Sequence, residues 1–260
     1  MKNMQMTKLK NSIKPGDLFE LGDHRIICGD AQDKNIVKKL LRDNKIILLC
    51  CDPPYGINYT NSKASFNQKI SCNKEIANDE LVSKQTYEKF SKDWLEPIIP
   101  YYAKQNAVYI FNSDKMVFSL REAMIQSGYK ISQLLIWVKN APVLGRLDYL
   151  PMHELIMYGW YGRHKFRKAK DKSVIYCPRP QKSKLHPTMK PVSLIRQLIL
   201  NSSKVGDIVY DPFGGSGTTL LASEQTKRKC MMIELDPEYC QVIIDRFEKL
   251  TGQSAKKLKP

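Results

Sequence analysis

Residues 46–55 read Ile-Ile-Leu-Leu-Cys-Cys-Asp-Pro-Pro-Tyr. The six apolar residues predict a short buried strand, and the proline pair predicts where that strand must stop. Asp52, Pro53, Pro54 and Tyr55 are therefore expected just beyond the carboxyl end of a strand. In an open α/β sheet, ligands bind outside this end of the strands. The stretch thus predicts both the fold class and the place of a site.

The four residues 52–55 suit a planar base that carries an exocyclic amine. The Asp52 carboxylate and the backbone carbonyl of Pro53 can each accept a hydrogen bond from that amine, and the proline rings restrict the backbone between them. Tyr55 offers a ring face for stacking, which contributes about 1–3 kcal/mol per base. Two acceptors draw off the protons of the amine and free its lone pair. The simpler alternative is a solvated turn at a strand end.

A second candidate site lies at residues 211–219, which read Asp-Pro-Phe-Gly-Gly-Ser-Gly-Thr-Thr between a predicted strand and a predicted helix. The glycines let backbone N–H groups approach a ligand at a helix N-terminus. Glu234 follows Asp211 by 23 positions and ends the next predicted strand. A carboxylate about 20 residues past such a turn commonly binds ribose hydroxyls. Because the glycines do not follow the G-x-G-x-x-G spacing, the pattern favours an adenosine ligand other than a dinucleotide, with a plain tight turn as the alternative.

The rest of the chain alternates predicted strands and helices, which is typical of an α/β fold. The predicted strands are 17–21, 24–28, 107–111, 131–138, 154–159, 207–211 and 230–234. The predicted helices are 34–41 with Asp33 as N-cap, 81–103 interrupted at Pro97, 114–126, 192–201, 218–225 and 237–250. Residues 56–79 are polar and lack periodicity, so they predict a long loop that is either a lid beside the site or a disordered segment.

The predicted domain organisation is simple. Residues 1–15 are expected to form a loose basic leader, 16–250 a single domain and 251–260 a flexible tail. No run of 18 apolar residues and no secretory signal occurs, so a cytoplasmic protein without a membrane partner is expected. The seven cysteines are irregularly spaced. They predict reduced thiols and no metal site.

The charge of the chain is strongly positive, with 42 basic and 26 acidic residues and a net charge of +16. Residues 161–190 hold ten Lys or Arg against one acid, together with three interleaved aromatic residues. More than half of the net charge is thus concentrated in 30 residues, which favours a phosphate-contacting surface over a solvated loop. The candidate contacts are Lys165, Arg167, Lys168 and Lys170, within a predicted target-recognition segment at about 159–185.

Taken together, the motifs at 52–55 and 211–219 resemble those of amino-methylating DNA methyltransferases. The order, with the catalytic motif first and the cofactor motif second, is similar to that of their beta group. The resemblance extends from Gly16 to about Leu250. It is supported by the segments 29–31, Gly-Asp-Ala, 136–140, Ile-Trp-Val-Lys-Asn, 153–154, His-Glu, and 186–191, His-Pro-Thr-Met-Lys-Pro.

The resemblance implies a doubly wound, mostly parallel, Rossmann-like methyltransferase sheet with a circularly permuted motif order. It also implies S-adenosylmethionine as the methyl donor. Asp52, Pro53, Pro54 and Tyr55 would form the catalytic motif, and His153-Glu154 is either a site element or structural. The cofactor-binding residues carried over by the resemblance are Asp30 and Ala31 at the adenine, Glu234 at the ribose, Thr188 and Lys190 near the methionine carboxylate, and Asp211, Phe213, Gly214, Gly215 and Gly217 around the methionine pocket.

The permuted order makes a geometric prediction. In such a sheet the glycine-rich strand, the Glu234 strand and the Asp30 strand are neighbours, because a cut in a surface connection moves the termini without changing the core. Asp30 and Glu234 should therefore reach the same adenosine although they lie 204 positions apart.

The activity implied is methyl transfer to the N6 amine of an adenine flipped out of duplex DNA. Transfer to the N4 amine of cytosine is the alternative within the class, since Asp at position 52 favours adenine whereas Ser is commoner in cytosine enzymes of the family. Methylation of a protein glutamine fits less well, because such enzymes usually carry Asn there and the reverse motif order. From a different class, the chain could be an idle nucleic-acid-binding module. The expected partner is double-stranded DNA, and the sequence leaves open a partner restriction endonuclease and a homodimer.

Overall fold

The computed structural model describes residues 13–56, 83–142, 148–167, 171–179 and 189–258. Most of the predicted leader at 1–15 and of the predicted loop at 56–79 lies outside these ranges. The described strands are β1 Leu18–Leu21, β2 His24–Cys28, β3 Ile46–Cys51, β4 Tyr102–Asn112, β5 Tyr129–Val138, β6 His153–Tyr161, β7 Val174–Tyr176, β8 Ile208–Asp211, β9 Lys229–Glu234 and β10 Lys256–Leu258. The described α-helices are α1 Lys34–Leu41, α2 Lys84–Leu95, α3 Val117–Gln126, α4 Val192–Ser202, α5 Thr218–Gln225 and α6 Pro237–Thr251.

The ten described strands form one sheet in the order β10-β1-β2-β9-β8-β3-β4-β6-β5-β7. Strands β1 and β6 run antiparallel to their neighbours, and the remaining pairs are parallel. Eight strands therefore share one direction, and the expected mostly parallel sheet is confirmed. The predicted neighbourhood of β8, β9 and β2 is confirmed as well.

The two candidate motifs follow adjacent strands at the centre of the sheet. Strand β3, which precedes Asp52, pairs with β8, which ends at Asp211. From β8 the chain continues through α5 to β9 on one side, whereas from β3 it continues through α2 to β4 on the other side. Connections that leave in opposite directions open a crevice at the carboxyl ends of the two strands. The topology therefore places both motifs at one crevice.

Helices cover both faces of the sheet, as in a doubly wound fold. Successive residues of β3 point to opposite faces, so that Leu49 packs with α1, α2 and α3 while Leu48 packs with α4. Helices α5 and α6 cover the same side as α4, over β2 and β9. Because β3 is buried on both faces, its sequence is a continuous apolar run rather than an alternating one.

Proline and strand pairing explain where the element bounds differ from the sequence prediction. The predicted helix at 81–103 ends at Leu95 and continues as a 3-10 helix over Glu96–Tyr101. Pro97 lacks an N–H group and its ring clashes with the preceding turn, so the α-helix cannot continue. Strand β7 lies within residues 161–190, which we name the basic segment. This strand was not predicted, because three residues are too few to show a periodic pattern.

The C-terminal segment corrects the predicted tail at 251–260. Helix α6 extends through Thr251, and Lys256–Leu258 form strand β10, which pairs with β1 at the edge of the sheet. Within the predicted tail, residues 256–258 are therefore part of the sheet. At the other end of the chain, Ile13 of the predicted loose leader is buried in the core beside β1 and β2.

The thiols and the helices agree with a packed interior. The six described cysteines are free and buried. No helix in the described ranges is both long and apolar enough to cross a membrane. Within the same ranges, no group of three or more His, Cys, Asp and Glu side chains is arranged to hold a metal ion.

Candidate active site

Several charged side chains lie at one edge of the sheet. Asp52 follows β3, Asp211 ends β8, and Lys139 follows β5, all at carboxyl ends of parallel strands. Strand β6 runs the opposite way, so its second residue, Glu154, lies at the same edge and pairs with Trp137 of β5. Residues from four distant stretches of the chain are thereby brought to a single edge.

The Asp52 carboxylate is hydrogen-bonded through both of its oxygens. The Tyr55 hydroxyl donates to Oδ1 at 2.6 Å, and the Lys190 ammonium donates to Oδ2 at 2.5 Å. The Asp52 side chain is 28% exposed, whereas that of Lys190 is only 7% exposed. The carboxylate thus lies at the mouth of the crevice with a buried cation behind it.

Glu154 joins the same network from the far side of Lys190. Its Oε2 lies 3.1 Å from the Lys190 Nζ, and its Oε1 lies 2.7 Å from the Lys139 Nζ. The Tyr55 hydroxyl is also 3.5 Å from Glu154 Oε2. The Lys190 ammonium lies over the rings of Phe111 and Tyr55, at 5.2 Å and 5.8 Å from their centroids. Acids and lysines therefore alternate in one connected cluster.

The pKa values of the cluster reflect a balance between burial and pairing. Burial raises the pKa of Asp52, although the neighbouring Lys190 acts in the opposite direction. Burial also opposes ionisation of Glu154, but Lys190 and Lys139 together hold its pKa below the ordinary value. Burial disfavours the charged form of Lys190, yet Asp52 and Glu154 outweigh it and raise its pKa. Lys190 favours the ionised form of both acids, and Lys139 adds to this effect at Glu154.

The glycine turn between β8 and α5 is too tightly packed for larger residues. A Cβ on Gly214 would lie 2.8 Å from the Met232 Sδ. Gly217 has φ of +79° and begins α5, and a Cβ there would lie 3.0 Å from Ile243. The Gly215 N–H donates to Glu234 Oε2 at 2.6 Å. The turn therefore lies directly against β9 and α6, with its backbone facing the Glu234 carboxylate.

Glu234 and Asp30 lie at the ends of adjacent parallel strands, as predicted. Cys28 of β2 is paired with Glu234 of β9, and the Gly29 N–H donates to the Glu234 carbonyl at 2.9 Å. Asp30 follows immediately, and its Oδ1 accepts from the Gln32 N–H at 2.9 Å. The two carboxylates therefore share one edge of the sheet rather than opposite faces.

Two buried acids border the glycine turn. Burial raises the pKa of Asp211 to about 8, although its hydrogen bonds with Thr219 and with the Phe213 N–H act against the shift. Burial likewise raises the pKa of Glu234 to about 7, against the hydrogen bonds from the backbone of Asp236 and Gly215. Strongly shifted acids in a cleft are typical of functional sites.

The basic segment is described in part. Lys165 is exposed and Arg167 is partly buried, with its N–H donating to the Asn201 carbonyl at 2.8 Å. Between them and β6, His164 stacks on Trp160 at 4.5 Å between centroids. The segment is thus anchored to the sheet and to α4 at this point. Lys168, Lys170 and Thr188 lie outside the described residues.

Two members of the cluster, Lys139 and Glu154, are absent from the catalytic and cofactor-binding residues that the sequence predicted. The stretch 136–140 and His153-Glu154 were noted as family matches, but no role was derived for Lys139. One sequence signal pointed to it, since a lysine directly follows the apolar strand at 131–138 and is therefore placed at the same edge as Asp52. Lys190 was expected near the methionine carboxylate, and in the structure it contacts Asp52 and Glu154.

Solved structures with the same architecture place the fold among S-adenosylmethionine-dependent methyltransferases. The crystal structure of the M1.HpyAVI–SAM complex is 25% identical, with a TM-score of 0.63, and the alignment covers 85% of this chain and 98% of that chain. PvuII DNA methyltransferase, described as cytosine-N4-specific, is 17% identical with a TM-score of 0.68, covering 87% and 89% of the two chains. The latter likeness concerns the fold alone. The fold is that of a class I methyltransferase, and its cofactor is S-adenosylmethionine.

Sequence comparison defines the family within this class. A sequence model described as DNA methylase, for N6 and N4 methyltransferases, matches residues 46–245. Type II methyltransferase M.HpaI of Haemophilus parainfluenzae is 27% identical over 255 residues, covering 87% of this chain and 74% of that protein. The chain belongs to the amino-methylating DNA methylase family. It is an S-adenosylmethionine-dependent DNA methyltransferase.

Proposed function

We propose that this methyltransferase modifies the N6 amine of an adenine that is flipped out of duplex DNA. The observation that carries the proposal is the Asp52 carboxylate at the β3 end of the central crevice, 28% exposed and paired with the buried Lys190. An ionised carboxylate at this place can accept a hydrogen bond from an exocyclic amine. The choice of adenine rests on the resemblance, in which Asp at the first catalytic position favours adenine over cytosine.

The cofactor side of the crevice fits S-adenosylmethionine. Gly214 and Gly217 leave no space for a Cβ against Met232 and Ile243, so the turn packs closely on β9 and α6 at the N-terminus of α5, where backbone N–H groups can bind a ligand. Glu234 Oε2 and Oε1 each accept one backbone hydrogen bond, from Gly215 and Asp236, and each keeps a lone pair for a ribose hydroxyl. We assign Asp30 and Ala31 to the adenine of the cofactor and the 213–217 turn to its methionine part.

The catalytic residues position the amine and accept its charge. When bound, S-adenosylmethionine supplies an electrophilic methyl group. Asp52 and the Pro53 carbonyl hold the amine so that its lone pair faces that methyl group, and Tyr55 stacks on the base. The two oxygen acceptors stabilise the positive charge that develops on the amine nitrogen. No covalent intermediate with the protein is required, and the buried cysteines have no part in the reaction.

The DNA side of the molecule is assigned to the basic segment. Residues 159–185 are proposed as the target-recognition segment, within a methyltransferase domain that includes residues 16–250. Lys165, Arg167, Lys168 and Lys170 are its phosphate contacts, which supply the salt-dependent part of the affinity. M.HpaI carries the name of a Type II methyltransferase. By analogy, we propose that this enzyme protects DNA against a partner restriction endonuclease.

Product identification tests the choice of base. Labelled S-adenosylmethionine is incubated with the protein and unmethylated duplex DNA, and the nucleosides are identified by mass spectrometry. We expect N6-methyladenine. N4-methylcytosine would overturn the base assignment and leave the family unchanged, and sequencing of the modified positions would give the recognition sequence.

The role of Asp52 is tested by the Asp52→Ala variant. We expect binding of S-adenosylmethionine within about twofold of wild type by calorimetry, and methyl transfer reduced by at least about a hundredfold, the range found when a positioned acid–base group is removed. Asp43→Ala, in an exposed turn, is the matched control. Undiminished turnover in Asp52→Ala would refute the assignment.

A further inference from the structure

Four charged side chains form a continuous chain at the edge of the sheet: Asp52, Lys190, Glu154 and Lys139. Its links are 2.5 Å from Lys190 Nζ to Asp52 Oδ2, 3.1 Å from Lys190 Nζ to Glu154 Oε2, and 2.7 Å from Lys139 Nζ to Glu154 Oε1. Its charges alternate and cancel, so the cluster as a whole is neutral.

The two lysines are almost completely buried. The side chains of Lys190 and Lys139 are each 7% exposed, and that of Glu154 is 21% exposed. Burial of ion pairs of this kind contributes little to folding stability, because the cost of removing the charges from water offsets their attraction. Stability therefore does not explain why three such groups are placed beside the catalytic carboxylate.

The geometry divides the two oxygens of Asp52 between different partners. Oδ2 is held from inside by Lys190, whereas Oδ1 is bonded to the hydroxyl of Tyr55 at 2.6 Å. Tyr55 is a partly exposed residue on the segment that follows β3, and Lys190 is fixed by Glu154. Oδ1 is thus the oxygen whose partner can be exchanged for a substrate group.

We propose that Lys190, fixed by Glu154 and Lys139, is a positioning residue that holds Asp52 by Oδ2 in its ionised form and leaves Oδ1 to accept the amine of the target base. The proposal rests on the proposed role of Asp52. The amine replaces the Tyr55 hydroxyl at Oδ1, which frees the tyrosine ring to stack on the base. Lys190 then acts on the catalytic carboxylate, and not on the methionine carboxylate as the sequence suggested.

The reaction releases a proton, and this explains why Asp52 must be kept ionised. When the amine nitrogen gains a methyl group it becomes positively charged, and it must lose one of its two protons to end as a neutral secondary amine. Asp52 Oδ1, already hydrogen-bonded to that proton, is the acceptor. An Asp52 that was protonated beforehand would accept the amine hydrogen bond more weakly, through a neutral carbonyl oxygen, and could not take up the proton.

The surroundings of Asp52 favour its neutral form unless Lys190 is present. Burial is the largest influence and raises its pKa, and Glu154 adds to the shift. Asp211, at the end of the neighbouring strand β8, also faces it electrostatically. The neighbouring Tyr55 hydroxyl and the thiols of Cys50 and Cys51 are neutral at the pH of the reaction, because burial raises their pKa values. The charge and hydrogen bond of Lys190 oppose this shift, with a smaller contribution from the Tyr55 hydrogen bond, so removal of Lys190 should raise the pKa of Asp52.

The test compares three substitutions of Lys190. Lys190→Met removes the charge, Lys190→Gln removes the charge but keeps a hydrogen-bond donor, and Lys190→Arg keeps both. The carboxyl carbon of Asp52 is titrated by NMR in the protein without cofactor or DNA, with Asp52→Asn used to assign the signal. The pH dependence of methyl transfer is recorded in parallel. Lys89→Met, whose side chain is 77% exposed, is the matched control.

The proposal predicts an upward shift of the Asp52 titration by at least about one pH unit in Lys190→Met and Lys190→Gln, the size expected on loss of an adjacent opposite charge. The acid limb of the activity profile should move by the same amount, so that raising the pH restores part of the lost kcat. Lys190→Arg should shift neither. The KM for S-adenosylmethionine should stay within about threefold in all three variants. Glu154→Gln should lower kcat while leaving that KM unchanged.

An unmoved Asp52 titration in Lys190→Gln, or a large rise in the KM for S-adenosylmethionine with an unchanged profile, would overturn the proposal and return Lys190 to the cofactor site. The Gln variant carries this test if the Met variant does not fold. Full turnover in Asp52→Ala would instead remove the proposed function itself, so the two failures are distinguishable.

Discussion

Tyr55 has two functions to reconcile at the scale of a single residue. Its hydroxyl donates to Asp52 Oδ1, while its ring is the proposed stacking platform for the base. A side chain has only two torsions with which to do both, so the hydroxyl contact and the stacked position are expected to be alternatives. Burial raises the pKa of the hydroxyl, with Asp52 and Glu154 adding to the shift, so it remains a proton donor at neutral pH.

Substitution of Tyr55 separates the ring from the hydroxyl. We expect Tyr55→Ala to lower kcat more than Tyr55→Phe or Tyr55→Trp, because only Ala removes the stacking surface, worth about 1–3 kcal/mol per base. Tyr55→Phe also removes the hydroxyl that occupies Asp52 Oδ1, so its KM for DNA should not rise. Steady-state kinetics on one DNA duplex gives both values. Equal losses in all three variants would argue against stacking.

At the scale of secondary-structure elements, a buried histidine joins two strands and a helix. His24 of β2 is fully buried, its Nδ1 accepts from the Cys230 N–H of β9 at 2.9 Å, and its Nε2 lies 2.8 Å from Glu224 Oε2 of α5. Since Nδ1 accepts, Nε2 carries the proton and donates to Glu224. The ring is therefore neutral in the folded protein, and burial lowers its pKa below the ordinary 6.5 despite Glu224 and Asp23.

The His24 contact makes stability depend on pH in a defined direction. As the pH falls below about 6.5, His24 takes up a proton in the unfolded chain before it does so in the folded protein. The unfolded state is therefore stabilised relative to the folded state. The contribution is present above pH 6.5 and is lost progressively as the pH falls below it. The measurement is urea unfolding of wild type and His24→Asn at both pH values.

The difference between the two proteins isolates His24 from the acids. Asp211 and Glu234, with pKa values raised to about 8 and about 7, stabilise the folded state as the pH falls and act in the opposite direction. Both acids are present in wild type and in His24→Asn, so their effects cancel in the difference between the two unfolding free energies. The free energies of wild type and His24→Asn should therefore lie closer together at pH 5.5 than at pH 7.5. A gap that does not change with pH would show that folding leaves the pKa of His24 unchanged, and a gap that widens toward pH 5.5 would show that His24 is charged when buried.

Strand β10 closes the edge of the sheet beside β1. Leu258 pairs with Leu18, and the Lys257 ammonium lies 2.6 Å from Asp17 Oδ2 and over the ring of Phe19. Truncation after Ala255 should lower the free energy of unfolding by about 1–3 kcal/mol, because several ladder hydrogen bonds worth about 1 kcal/mol each are lost. Denaturant titration measures the loss. Removal of residues 259–260 alone is the control, and equal stability of the two truncations would mean that β10 contributes nothing.

At the scale of the whole molecule, the net charge of +16 is unevenly distributed, and residues 161–190 carry more than half of it. Replacing Lys165, Arg167, Lys168 and Lys170 with Gln should weaken DNA binding and reduce the slope of log K against log salt by up to about 3–4, since each phosphate contact contributes about 0.9. Fluorescence anisotropy across a salt series gives the slope.

The control for charge alone replaces Lys84, Lys89 and Lys92 of α2 with Gln. This variant loses three positive charges outside the basic segment and should keep the wild-type slope within about one unit. An unchanged slope in the first variant would place the DNA surface elsewhere. An equal reduction in both variants would mean that overall charge, and not the segment, sets the affinity.

The pattern of the sequence was sufficient for most elements of the fold. The runs at 46–51 and 230–234, the proline pair that follows the first run, and Asp33 as a helix cap lie where the structure has β3, β9 and α1. The pattern failed where it was too short or lacked contrast. Strand β7 has three residues, and β10 has the sequence Lys-Lys-Leu, which reads as a charged tail until β1 is beside it.

The sequence by itself determined the strand-end position of Asp52, the glycine turn, the acid at Glu234 and the order of the motifs, because these depend on neighbours a few residues away. Only the tertiary structure decided which side chains surround Asp52. Lys139, Glu154 and Lys190 are separated from it by 87, 102 and 138 positions. Glu154 meets Lys139 because β6 runs antiparallel between β4 and β5, so that its beginning lies at the carboxyl edge of its neighbours, and Lys190 reaches the same edge from the residues just before α4. Such a juxtaposition is set by strand order and direction, which local patterns do not contain.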